Sequence, residues 1–250
     1  MKGLAGLAAG VVLAAGTAVS AGAAAAEQGW YLRADLSHDW SRPADFHDWN
    51  CAGTDPTRVP LYGCATKGSG DFGGSVGLGV GVGYRVAPML RFDATVTHRP
   101  GWRFEGESGF LLAGDEPLRA RARTLTGLLN AYIDLGRWSV FEPYVGAGFG
   151  LSYNRVEGME LSFPTLDQRV WTPSGWHTSL AWQLTAGTGI VLGDGLVLDV
   201  AYRFMDLGRM QTHAGEAPRL RRGAWRILTI DGTEARLRAH GVQLGLRYAF

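Results

Sequence analysis

Between residues 72 and 84 the chain alternates without a break. Phe72, Gly74, Val76, Leu78, Val80, Val82 and Tyr84 take the even positions; Gly73, Ser75, Gly77, Gly79, Gly81 and Gly83 take the odd ones. A period of two puts each set on its own face of a β-strand, because successive side chains of an extended chain point to opposite sides. The same period returns seven more times. Trp30, Leu32, Ala34 and Leu36 oppose Tyr31, Arg33, Asp35 and Ser37, and Leu90, Phe92, Ala94 and Val96 oppose Arg91, Asp93, Thr95 and Thr97. Further segments span 124–135, 143–154, 178–191 and 196–207. The last sets Val242, Leu244, Leu246, Tyr248 and Phe250 against Gln243, Gly245 and Arg247. Eight amphipathic strands are predicted.

The class depends on which face points inward. With the apolar faces inside, the chain is a soluble, lipocalin-like barrel around an apolar ligand cavity. Its water-facing surface would then be strands of bare glycine, which are weak strands. With the apolar faces outside, they suit hydrocarbon, and the glycine and polar faces fill the narrow lumen of an eight-stranded barrel. The connections favour the second arrangement. Short links at 85–88, 135–139 and 193–195 alternate strictly with long ones at about 40–70, 100–120, 155–177 and 208–235. Outer-membrane barrels have this form, with short periplasmic turns and long outer loops. Each segment reaches the roughly 9–11 residues that a tilted strand needs to cross a bilayer. Trp30, Tyr84, Trp138, Phe141, Tyr202, Phe204, Tyr248 and Phe250 stand near segment ends, where interfacial aromatic girdles form. The expected fold is therefore all-β: an eight-stranded antiparallel up-and-down transmembrane β-barrel.

Composition sharpens this picture. Glycine supplies 37 of 250 residues, about twice the usual share of roughly 7%, and shows none of the three-residue period of collagen. Apolar residues make up 46%, yet mean hydropathy is close to zero, as interleaving requires. The 24 basic and 23 acidic residues nearly cancel, so no global field argues for a nucleic-acid partner. Residues 1–26 read as a cleaved secretory leader, with Lys2 at its start, an apolar stretch from Leu4 to Val19, and small Ala24 and Ala26 before the cut. The barrel domain then occupies 27–250. Losing Lys2 leaves 23 basic residues against 23 acidic ones. Cys51 and Cys64 share the first long connection, and in an oxidising compartment a disulfide between them is expected.

Three runs resemble a known family. Pro143-Tyr144-Val145-Gly146-Ala147-Gly148-Phe149-Gly150 resembles the fifth-strand signature of small outer-membrane proteins. Leu198 to Gly208 resembles their penultimate strand, and Gly245-Leu246-Arg247-Tyr248-Ala249-Phe250 is similar to their terminal one. The chain thus resembles the outer-membrane β-barrel domain family, related to the OmpA transmembrane domain and common in alphaproteobacteria. The resemblance implies an integral outer-membrane location. It also implies that Leu246, Tyr248 and Phe250 form the assembly signal read by the outer-membrane assembly machinery. The periplasmic peptidoglycan-binding domain of full-length OmpA proteins has no counterpart here, so a cell-wall tether is not expected.

The inward faces carry Arg33, Arg85, Arg91, Arg203 and Arg247 against Asp35, Asp93, Asp134 and Asp199. Charges removed from water must pair or stay hydrated, so this balance predicts a salt-bridged lumen with a structural role. The alternative is a small or gated porin-like channel. His177 and Ser179 share one strand face, a spacing that lets a base meet a nucleophile, and the pair resembles the outer-membrane lipid A deacylases. Leu180 replaces that family's asparagine, however, the pair points inward, and no acidic orienter is identifiable. No enzyme is expected. The fourth long connection is basic, and Arg219, Arg221 and Arg222 are candidates to contact lipopolysaccharide phosphates. Trp40, Trp49, Trp102, Trp171, Trp176 and Trp225 are candidates for contact with a surface ligand or host receptor. No GxxxxGKS, HExxH or CxxC run occurs, so neither cofactor nor metal is expected.

Overall fold

The computed structural model describes residues 28–49, 67–110 and 114–250, with the backbone alone at 108–110 and 114–116. The expected leader at 1–26 and the expected Cys51–Cys64 pair lie outside the described residues. The chain forms β1 (Gly29–Ser41), β2 (Ala44–Asp48), β3 (Gly68–Asp71), β4 (Gly74–Ala87) and β5 (Leu90–Phe110). These are followed by β6 (Gly114–Asp134), β7 (Phe141–Phe163), β8 (Gln168–Trp171) and β9 (Gly175–Gly193). The last four are β10 (Leu196–Gln211), β11 (Gly215–Arg221), β12 (Ala224–Ile230) and β13 (Thr233–Ala249).

The eight long strands pair antiparallel with their neighbours in the order β1, β4, β5, β6, β7, β9, β10, β13. The last returns to the first through a register running from Tyr31↔Ala249 to Ser41↔Ala239, which closes the barrel. Closure gives each of the eight long strands a partner on both sides. Asp194 and Gly195 join β9 to β10 with φ of 51° and 76°. Asp-Gly with both residues left-handed suits the tightest hairpin turn, whose twist matches that of the strands.

The faces fall as the alternation predicts. Leu129 is 72% exposed, whereas Arg91 is fully buried. Leu32, Leu78, Val80, Phe149, Leu180 and Leu244 project outward; Arg33, Asp93, Asn130, Gln183 and Gln243 lie inside. Such an inside-out distribution is stable only against hydrocarbon. Aromatic side chains mark both margins of the apolar band. Near the short turns Trp30 meets Tyr84 edge-on at 5.2 Å, and Tyr248 stacks on Phe250 at 6.5 Å. At the far margin Tyr153 lies 5.9 Å from Trp176 and Trp182 5.5 Å from Phe204. From Trp30 to Trp40 along β1 the band is roughly 25 Å tall for a strand tilted near 45°.

Beyond that band the wall continues. Much of 100–120, 155–177 and 208–235, expected as loops, is strand: β5, β6 and β7 run far past the aromatic margin, and β2, β3, β8, β11 and β12 extend the rim. In this outer half the amphipathic sign is reversed. Trp102, Phe104, Leu118, Met159, Leu161 and Leu237 are buried inside, while Arg103, Glu105, Arg121, Arg155, Arg236 and Arg238 face out. Bulges in β5, β7 and β10 perform the switch. The register of β5 shifts between Arg99 and Trp102, so its inward residues pass from odd numbers to even ones. In β7 the inward set jumps from Val156 to Met159 around Gly158, whose φ is +64°. An extra residue in one strand turns every later side chain to the other face. In β6 and β13 the phase is unbroken and only the composition changes sides.

Candidate functional site in the lumen

The strand parity that exposes leucine to the outside brings the inward charges together in layers. Nearest the short turns, Arg91 donates from Nε to Asp134 at 3.0 Å. Its guanidinium carbon lies 4.4 Å from the ring centres of both Tyr132 and Tyr144, a cation between two π faces. Arg85 adds contacts to Asp134 at 3.3 Å and Glu142 at 3.5 Å. Arg247 holds Asp199 with two bonds of 2.6 and 3.0 Å.

The middle layer centres on Arg33. It forks onto Asp35 with two bonds of 2.9 Å and reaches Asp93 at 2.7 Å and the Tyr132 hydroxyl at 3.1 Å. Asn130 donates to Asp93 at 2.7 Å, Gln183 donates to Asn130 at 2.8 Å, and Gln243 donates to Asp35 at 2.6 Å. The outer layer centres on Asp39, which accepts from Arg99 at 2.6 Å, Ser37 at 2.9 Å and Arg203 at 3.0 Å. Arg33, Asp35 and Asp93 thus meet as one group, Arg91 meets Asp134, and Arg247 meets Asp199. Arg203 goes to Asp39 instead of to any expected partner. Asp39, Arg99 and Glu142 were not singled out from the sequence, although each continues the inward parity of its strand by one further step.

The inward glycines supply the room. A methyl group at Gly83 would overlap the Tyr31 ring, one at Gly146 the Tyr132 ring, and one at Gly241 the Asp39 carboxylate. At Gly189 it would stand 2.9 Å from the Arg247 guanidinium. Above the ionic layers the filling becomes apolar. Phe46, Phe72 and Phe104 contact one another at 4.9 to 5.8 Å, within a buried cluster that includes Trp102, Met159, Leu161 and Met205.

Ser179 points inward, but its hydroxyl accepts the Arg209 amide at 2.9 Å and packs against Gly208 in the β10 bulge. Among the described residues no carboxylate bonds to His177. Trp102, expected as a surface aromatic, is instead 1% exposed, because the β5 bulge turns it inward. Trp49, Trp176 and Trp225 are exposed, and Trp225 stacks on Trp171 at 5.6 Å. Arg221 and Arg222 sit at the tip of the β11–β12 hairpin, with Arg219 half-buried behind them. Leu246 and Phe250 face outward on and beside β13, with Tyr248 half-buried between them.

A family model described as outer membrane protein beta-barrel domain matches residues 9–250. An uncharacterized protein of Brucella abortus is 30% identical over 250 residues, covering 89% of this chain and 85% of its own. A candidate adhesin of Rickettsia massiliae is 28% identical over 149 residues, covering 55% of this chain and 62% of its own. Among solved structures, the outer membrane protease OmpT of Escherichia coli superposes with a TM-score of 0.50 at 8% identity, over 92% of this chain and 99% of that one. That likeness is one of fold alone.

Proposed function

This chain belongs to the outer membrane protein β-barrel domain family, and from that premise we propose a sealed outer-membrane barrel with a structural and surface-contact role. The short turns lie on the periplasmic side and the extended wall projects outward. The leader at 1–26 directs export, and Leu246, Tyr248 and Phe250 present the strand read by the assembly machinery. The observation that carries the reading is the set of buried lumen side chains, ion-paired from Arg91 to Arg203 and apolar around Trp102. An eight-stranded barrel is just wide enough for side chains to fill. Purified protein in planar bilayers is expected to give no steady conductance; a stable open level at modest voltage would overturn the sealed lumen in favour of a channel.

Surface contact is favoured by the exposed Trp49 and Trp225 and by the adhesin description of the Rickettsia relative. Aromatic residues of this kind anchor interfaces. Catalysis is not part of the proposal, because the Ser179 hydroxyl is committed to backbone. Lipid A from cells with and without the protein is expected to have the same acyl count by mass spectrometry. A lost chain restored by Ser179→Ala would reverse that conclusion.

A further inference from the structure

The outward arginines above the aromatic margin form two unlike groups. On β10 and β13, Arg209 pairs with Glu234 at 3.4 Å, and Arg236 and Arg238 share Asp206 at 2.8 and 3.1 Å. On the opposite flank Arg103 of β5 stands directly across from Arg121 of β6, and Arg123 of β6 directly across from Arg155 of β7. All four are exposed, and among the described residues none has a carboxylate partner. Like charges facing each other across adjacent strands repel. Glu157 lies in the β7 bulge across from Arg121, and Glu105 shares the outer face one step farther from the apolar band.

The height of this row is informative. Leu125 pairs in register with Tyr153, and Arg123 with Arg155 is the next outward pair above them. Arg155 in turn pairs with Trp176, which packs on Tyr153 in the aromatic girdle. The arginines therefore sit at headgroup level. Directly beneath them Leu125, Leu129, Phe149 and Leu151 form an exposed apolar track on the same two strands. Guanidinium forks match phosphate oxygens two at a time.

We propose that Arg103, Arg121, Arg123 and Arg155 are a docking face for a phosphorylated glycolipid of the outer leaflet. Its phosphate groups bridge the two arginine pairs, and its acyl chains lie along the track below. The track selects a lipid over a soluble anion. The proposal rests on the membrane placement given above and assigns lipid contact to β5–β7, not to Arg219, Arg221 and Arg222 at the hairpin.

The test uses the full chain folded into phosphatidylcholine nanodiscs and titrated with lipid A bisphosphate or its dephosphorylated form. Arg123→Gln with Arg155→Gln is expected to weaken binding at least tenfold, and adding Arg103→Gln and Arg121→Gln to remove it. Dephosphorylated lipid A should bind the native protein as weakly as bisphosphate binds the fourfold variant. Arg221→Gln with Arg222→Gln should leave binding unchanged. Undiminished binding by the fourfold variant, equal binding of the two lipids, or loss only in the hairpin variant would overturn the docking face. Retained heat-modifiable gel mobility establishes that each variant is folded. A native protein that fails to enter a bilayer would overturn the membrane placement and this inference together, whereas one that inserts but ignores phosphorylation overturns only the inference.

Discussion

Asp39, fully buried, accepts hydrogen bonds from two guanidinium groups and a hydroxyl. Neutralising such a carboxylate leaves Arg99 and Arg203 buried without their counter-charge. Asp39→Asn is therefore expected to destabilise the barrel by about 3–5 kcal/mol, read as a lower urea midpoint for unfolding from lipid vesicles. Asp45 provides the comparison. Lys67 donates to it at 2.7 Å and holds its carboxyl below the usual range, but the pair is exposed. Asp45→Asn should cost no more than about 1 kcal/mol. Equal losses in the two variants would show that the lumen is wet. Parity alone finds Arg33, Asp35, Asp93 and Asn130 on the inner face. It does not reveal that Arg203 reaches Asp39, because that contact joins residues 164 apart and depends on how the closed barrel sets its register.

Among elements, β5 shows most clearly what a periodicity can and cannot carry. Its first half alternates with leucine, phenylalanine and valine outside, and that half was readable. Past Arg99 the same strand carries tryptophan and phenylalanine inside, and the bulge at Pro100–Gly101 removes the continuity that would have linked the halves. The β11–β12 hairpin was hidden for another reason, since its turn uses Arg222 and Gly223 at φ of 48° and 78° in place of the usual Asn-Gly or Asp-Gly. Deleting Pro100 and Gly101 together should set Trp102 next to Arg99 in unbroken alternation and so drive Arg103 inward and Trp102 out. The outer half is then expected to become protease-sensitive, while heat-modifiable mobility of the membrane half persists. Protease resistance equal to that of the native protein would mean that the bulge does not set the switch.

For the whole molecule, the reversal of polarity along the axis makes one sheet serve two solvents. Hydrocarbon meets leucine and water meets arginine, and the interior changes in the opposite sense, from ion pairs to phenylalanine. This arrangement also fixes the barrel's depth. Sinking it by one residue pair would draw Arg123 and Arg155 toward lipid, and raising it would lift Tyr153 and Trp176 into water. Charge on the lipid face costs about 2–4 kcal/mol per residue near the midplane and less toward the interface, so displacement in either direction is resisted. Such a protein behaves like a hull with a painted waterline. In a bilayer thinner or thicker than its own band, it is the surrounding lipid that has to stretch or compress.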